Sequence, residues 1–172
     1  MTCEEIFSTL IDHMVKGLMV HEQLANYYDF LGLPCYSKCH DEHYCKESKM
    51  YRKMYHYYIT TYNKLLPETR FSSPDVIPQA WVKYTRQEVD LKTKQNAVQK
   101  GLEIWLSWEH DTLKLYKSLY AELFKLNEIA SAEKLTHLIC KVQKEISEAE
   151  QYHLNKTATG FDMVYIIDEQ NK

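Results

Sequence analysis

Proline interrupts this 172-residue chain in only two places, at Pro34 and in the cluster Pro67, Pro74 and Pro78. Proline inside a helix removes a backbone donor and clashes with the preceding turn, so its absence elsewhere leaves long stretches free to be helical. Glycine is as scarce: four of each make eight, where average usage of roughly 7% and 5% would give about twenty. Rossmann sheets, P-loop folds and β-sandwiches need turn residues that this chain lacks. Hydrophobic residues at 45% argue against general disorder. No apolar run approaches the ~20 residues that a bilayer crossing requires, so no membrane partner is expected. The net charge of −3 points to neither nucleic acid nor an anionic membrane.

Thr2-x-x-Glu5 reads as a capping box, followed by apolar residues at helical spacing: Ile6, Leu10, Met14, Leu18, Ala25 and Tyr28. Gly32-Leu33-Pro34 ends that helix. A second helix is expected from about Asp41 to Leu66, with Met50, Met54, Tyr58, Thr61 and Leu65 inward. Residues 67–85 read as an irregular link. A third helix starts near Thr85-x-x-Glu88 and is firm from Leu102 to Leu126, with Gly101 read as a kink or break. A fourth follows Asn127, with Ile129, Ala132, Leu135, Leu138, Val142, Ile146 and Ala149 on one face. The expectation is one all-α domain over residues 1–172: a four-helix bundle over about 4–156, made of two hairpins and a long link, with a short tail over 157–172. The link is long enough for a crossover bundle as well as an up-down one.

Amphipathic helices keep carboxylates on the solvated side, yet Glu22, Glu47, Glu109 and Glu145 each fall at 3–4 or 7 residues from apolar stripe positions. Counted from the two hairpin turns, the first pair lies ~21 Å along the bundle and the second ~28 Å; in a bundle ~42 Å long both layers come near the middle. Four buried carboxylates repel one another unless protonated or neutralised. A pair of iron or manganese ions, or a single one, is the economical neutraliser, since oxygen ligands and imidazole suit those metals. Glu150 and His153 form a Glu-x-x-His pair nearby, the type of pair that supplies bundle-core di-metal sites.

These residues resemble the ferritin-like superfamily, especially its rubrerythrin-type and small di-iron members. The resemblance rests on the hairpin–link–hairpin layout, His21-Glu22-Gln23-Leu24-Ala25-Asn26-Tyr27-Tyr28, Glu109, and Glu150-Gln151-Tyr152-His153. It implies iron oxidation or storage, or oxygen or peroxide chemistry, at a carboxylate-bridged centre. The family carries Glu-x-x-His on helix two, whereas this chain has Glu47-Ser48-Lys49-Met50 and Lys53-Met54-Tyr55-His56. A single-metal, shifted or degenerate site all fit that departure, and Glu145 and Glu150/His153 compete for the same place.

A second constellation is Cys35, Cys39, His40, His43 and Cys45. Cys35, Cys39, His43 and Cys45 offer thiolate and imidazole ligands for zinc, although the spacing is irregular and free thiols are the preferred reading. Tyr44, Tyr55, Tyr57 and Tyr62 predict an interface, either with a second copy or with a protein partner. His13, His21, His110 and His137 read as surface or satisfied boundary residues. The acidic start, Met-Thr-Cys-Glu-Glu, lacks a signal-type apolar core and predicts a cytoplasmic protein. The competing functional expectation is a non-enzymatic interaction bundle with a degenerate metal site, loosely like small helical proteins of mobile elements.

Overall fold

The computed structural model describes residues 1–66 and 90–159; the expected link, the proposed start of helix three at Thr85 and most of the tail lie outside them. Four helices make up the fold: α1 (Cys3–Phe30), α2 (Pro34–Tyr62), α3 (Leu91–Lys125) and α4 (Ile129–Thr159). No strand occurs among the described residues. None of their helices is long and apolar enough to cross a membrane.

Local chemistry sets the boundaries. Thr2 Oγ1 accepts from the Glu5 N–H while Glu5 Oε2 accepts from the Thr2 N–H, so both caps of the box are made. At the other end Gly32 adopts φ 74, the Leu33 N–H donates to Tyr28 O and the Gly32 N–H to Asp29 O. This Schellman cap turns the chain in three residues. The α3–α4 turn repeats it with Asn127 at φ 59, Glu128 N–H donating to Leu123 O and Asn127 N–H to Phe124 O.

Helix α2 begins at Pro34, not near Asp41, because proline at the first helical position loses a donor that has no intrahelical partner. The Cys/His segment is therefore helical throughout. α2 ends at Tyr62 with Asn63 left-handed at φ 52, before Leu66. α3 starts at Leu91, where the Asp90 side chain accepts from the Thr93 N–H at 2.6 Å. It runs unbroken through Gly101, so no kink forms there. That glycine instead makes room for the buried Tyr28 phenol, which an added Cβ would overlap.

Cross-helix contacts give the topology. Along α1 and α3, Met1 N meets Glu122 Oε2 (3.5 Å), His13 Nε2 meets Thr112 Oγ1 (2.7 Å), and the Tyr28 hydroxyl meets Val98 O (3.5 Å). The numbering runs in opposite senses, so the two helices are antiparallel. α2 and α4 are antiparallel likewise: Tyr62 OH donates to Glu128 Oε2 at 3.0 Å, and His43 Nδ1 lies 3.5 Å from Glu145 Oε1. With each hairpin antiparallel, α2 and α3 are parallel, and Tyr62 and Leu91 stand at opposite ends. Thirty-five helical residues measure ~52 Å. The intervening 63–90 can reach ~90 Å. One crossover connection thus joins the hairpins.

The apolar interior is in two parts. One, around Phe7, Leu10, Tyr58, Leu119, Leu123 and Leu135, fills the end nearest the α3–α4 turn. The other, around Leu24, Tyr28, Leu31, Val98, Leu102 and Trp105, fills the end nearest the α1–α2 turn. A band of histidine and glutamate lies between them.

Candidate metal centre

Every helix contributes to that band. His21 on α1 is fully buried, as are His40 and His43 on α2, Glu109 on α3 and Glu145 on α4; Glu47 on α2 is largely buried. His40, His43 and Glu47 follow one another at three and four residues, so a single face of α2 delivers all three.

His21 Nε2 lies 3.6 Å from Glu109 Oε1 and 3.7 Å from Glu47 Oε1, and one ligand atom from each of the three residues falls within 4.8 Å of the others. His21 Nδ1 meets His40 Nδ1 at 3.0 Å, so one ring donates and the other accepts. When His21 donates, its Nε2 turns a lone pair toward two carboxylates. Trp105 Nε1–H donates to Glu109 Oε1 at 3.1 Å, which fixes that carboxyl. His21 Nε2, Glu47 Oε2, Glu109 Oε2 and both ring nitrogens of His43 are buried without a hydrogen-bond partner among the described residues. Native interiors hold few such atoms, and five at one level form a donor set that a cation could engage.

Gly17 is part of the construction. A Cβ there would come within 2.9 Å of Glu47 Oε2. Mid-helix glycine costs about 1 kcal/mol relative to alanine, a cost that here admits the carboxylate. Beside Glu47 lies a cavity of ≈ 20 Å³, lined in part by His13, Gly17, Trp108, Tyr116, Lys141 and Glu145. That is room for about one water-sized molecule.

Burial governs the charges. It lowers His21 to about 4, with the Glu47 carboxylate opposing, so the imidazole is neutral. It raises Glu47 to about 7, against the pull of His21, and Glu109 to about 8, with the Glu145 charge adding to the rise. Burial also disfavours the His43 cation, but Cys39 and Glu145 outweigh it and hold that ring at about 10. Burial would raise Glu145, yet His43 and Lys141, whose Nζ lies 3.2 Å away, keep it below its usual value.

Of the carboxylates expected to converge, Glu47, Glu109 and Glu145 do so. Glu22 does not: it faces solvent, and its neighbour His21 takes the inward position. Positions 21 and 22 both lie one turn from Leu18, but His21 stands seven residues from the buried Met14 and Tyr28, and this longer register decides. Glu150 is also solvent-facing, because the buried stripe of α4 passes through Glu145 and Ala149, and His153 is only half-buried. The Glu-x-x-His pair is thus off the bundle axis. In the cysteine constellation Cys45 is exposed and Cys35 and Cys39 are half-buried, with only Cys39 placed beside His43 and Glu148. None of the five cysteines forms a disulfide among the described residues.

His21 and His40 are the residues the sequence reading missed. Extending the Met54, Met50 stripe backward at three- and four-residue steps gives Glu47, His43, His40 and Tyr36, a signal that a helix beginning at Asp41 cuts short. His110 and His137 are exposed, and His13 stacks on Trp108 at 4.5 Å. Of the tyrosines expected at an interface, Tyr55, Tyr57 and Tyr62 are half-buried against the chain's own core, and Tyr44 is half-buried outside it. No known protein family model matches the chain, and no curated protein matches it.

Proposed function

We propose that this protein is a bundle-core metalloprotein that holds a divalent redox-active ion, iron or manganese, at His21, Glu47 and Glu109, and that reacts there with dioxygen or a peroxide. The observation that carries the reading is the set of buried, unpartnered ligand atoms contributed by three different helices. Mixed imidazole and carboxylate donors suit those two metals. The single-crossover bundle is the arrangement that the ferritin-like resemblance implies, and it supports the reading. The ligands are not that family's set, since α1 offers histidine in place of glutamate and α2 offers His40-x-x-His43-x-x-x-Glu47.

When bound, such an ion supplies one-electron exchange and a Lewis-acidic position. The chain supplies the rest. His40 orients the His21 ring, and Trp105 holds Glu109 Oε1 so that Oε2 is left free. The two apolar clusters exclude bulk water above and below. The cavity limits a co-reactant to a molecule of a few atoms, and the Lys141 ammonium places a proton donor on its wall.

Elemental analysis of protein purified from iron- and manganese-supplemented cells tests the reading. Wild type is expected to carry iron or manganese, and His21→Ala and Glu109→Gln to lose it with helical content intact by circular dichroism. Metal content unchanged in both variants removes the site.

A further inference from the structure

We infer that Cys39, His43 and Glu148 form a second metal position, selective for a thiophilic divalent ion such as zinc, beside the imidazole–carboxylate trio but sharing no ligand with it. One ligand atom from each of the three lies within 4.8 Å of the others. His43 carries the argument. Its ring is 2% exposed, with Nε2 3.8 Å from Glu148 Oε2 and Nδ1 3.5 Å from Glu145 Oε1. Both approaches are too long or misaligned for a full hydrogen bond among the described residues. Without a metal the ring carries a proton, which an incoming ion displaces. Cys39 precedes His43 by four residues, so it projects from the same side of α2, while Glu148 reaches across from α4.

The geometry is close to what zinc requires. With Zn–N and Zn–O near 2.0–2.1 Å and Zn–S near 2.3 Å, tetrahedral ligand edges are about 3.3 Å for N–O and about 3.6 Å for S–N. Closing the site therefore asks the ligand atoms to draw in by about 1 Å, and Glu148, whose side chain is 45% exposed, is free to supply that movement. Three protein ligands leave a fourth position for water or another ligand, the pattern of a reactive rather than a purely structural zinc.

The surroundings of His43 match a ligand histidine. Its other nitrogen, Nδ1, lies 3.5 Å from Glu145 Oε1, and Glu145 is itself paired with Lys141 at 3.2 Å. Carboxylates placed behind a metal-bound histidine fix the tautomer and raise ligand basicity. Thiolate also discriminates between the two positions: the oxygen-rich trio suits iron or manganese, and the thiolate trio suits zinc. The His21 and His43 rings stack with centroids 5.1 Å apart, so the two ions would be close neighbours of unlike chemistry.

Cobalt(II) is the probe, because thiolate ligation produces an intense near-ultraviolet charge-transfer band that oxygen and nitrogen ligands do not. Chelator-treated full-length protein titrated with cobalt is expected to develop that band to one equivalent, and one equivalent of zinc to abolish it. Cys39→Ser should remove the band, and Glu145→Gln should weaken cobalt binding about 10–100-fold, as removal of such a supporting carboxylate does elsewhere. Glu148→Gln should cost at least as much. Cys35→Ser, Cys45→Ser and Glu109→Gln should keep the band. Circular dichroism establishes that each variant is folded. A wild-type protein without the band, a band that survives Cys39→Ser, or one lost in Cys45→Ser or Glu109→Gln overturns the assignment. A protein that shows the band but carries no iron or manganese keeps this position and loses the trio.

Discussion

Replacing Gly17 by alanine should make the metal-free protein more stable and the metal-binding protein worse. Alanine gains about 1 kcal/mol over glycine inside a helix, which for a chain of this size raises Tm by about 2–4 °C. Against this stands one close contact, the new Cβ at 2.9 Å from Glu47 Oε2, while the next atoms, on Trp108, lie at an ordinary 3.5 Å and 3.6 Å. Oε2 is the far end of a flexible side chain, so it can retreat by about 0.5 Å at little cost to the fold. Metal–ligand distances, however, tolerate only about 0.2 Å. The same displacement that is cheap for folding is thus large for coordination, and affinity should fall about tenfold or more, the loss typical when ligand positioning is disturbed. Calorimetry of the chelator-treated protein gives the first quantity, and a manganese titration of the same sample gives the second. A lowered Tm without metal, or an undiminished affinity, would refute the assignment of Gly17 as the space that admits Glu47.

Gly101→Ala should have the opposite sign, because the Cβ there meets the rigid, fully buried Tyr28 phenol. Overpacking costs about 1–3 kcal/mol and outweighs the helix gain, so urea denaturation should show a net loss that Tyr28→Phe partly relieves in the double variant. The stability of the metal-free protein should decline as pH rises from about 6.5 to 8. In that window folded Glu109, held at about 8, and folded His43, held at about 10, keep protons that the unfolded chain has released, so folding becomes less favourable. Below about 6.5 the buried His13 and His21 rings, both lowered to about 4, act in the opposite sense. Glu109→Gln should flatten that slope in urea midpoints taken at pH 6.5 to 8.5, and a parallel profile would contradict the burial of this carboxyl. Metal binding to the trio should release protons below pH 7, because Glu47 (about 7) and Glu109 (about 8) must ionise, while His21 (about 4) is already neutral. Titration calorimetry in buffers of different ionisation enthalpy counts them, and the same count at pH 6 and pH 9 would be inconsistent with these ligands.

The helices were legible because their signals are local. Thr2 with Glu5 marks one start, Gly32 one stop, and Asn127 the second hairpin. Pro34 signals a helix stop and, in a first turn, equally a start, and only the second meaning exposes the His40, His43 and Glu47 face of α2. The crossover was not legible, since link length permits two topologies and only contacts such as Tyr28 with Val98 decide between them. The carboxylate band was half legible. Glu47, Glu109 and Glu145 stand on their stripes, but a stripe is about 100° wide and a one-residue step turns a helix by about 100°. His21 and Glu22 therefore both satisfy the spacing to Leu18, and only the longer register, seven residues from Met14 and from Tyr28, separates them. Glu150 and His153 illustrate the opposite error, in which a short motif matches by type while lying on the wrong side of its helix.

If the proposed ions bind, the division of their ligands between the hairpins would make folding answerable to supply. His21, Glu47, Cys39 and His43 belong to the first hairpin and Glu109, Glu145 and Glu148 to the second, so neither trio is complete until the two have docked. An ion in either place would act as a clasp across an otherwise polar seam, and at a hundredfold excess over its dissociation constant it would add about 2.7 kcal/mol to the joined state. In a cell short of that ion, the hairpins would hold together through the apolar ends and direct polar contacts such as His13 with Thr112 and Tyr62 with Glu128, and the abundance of the protein would track the metal it receives.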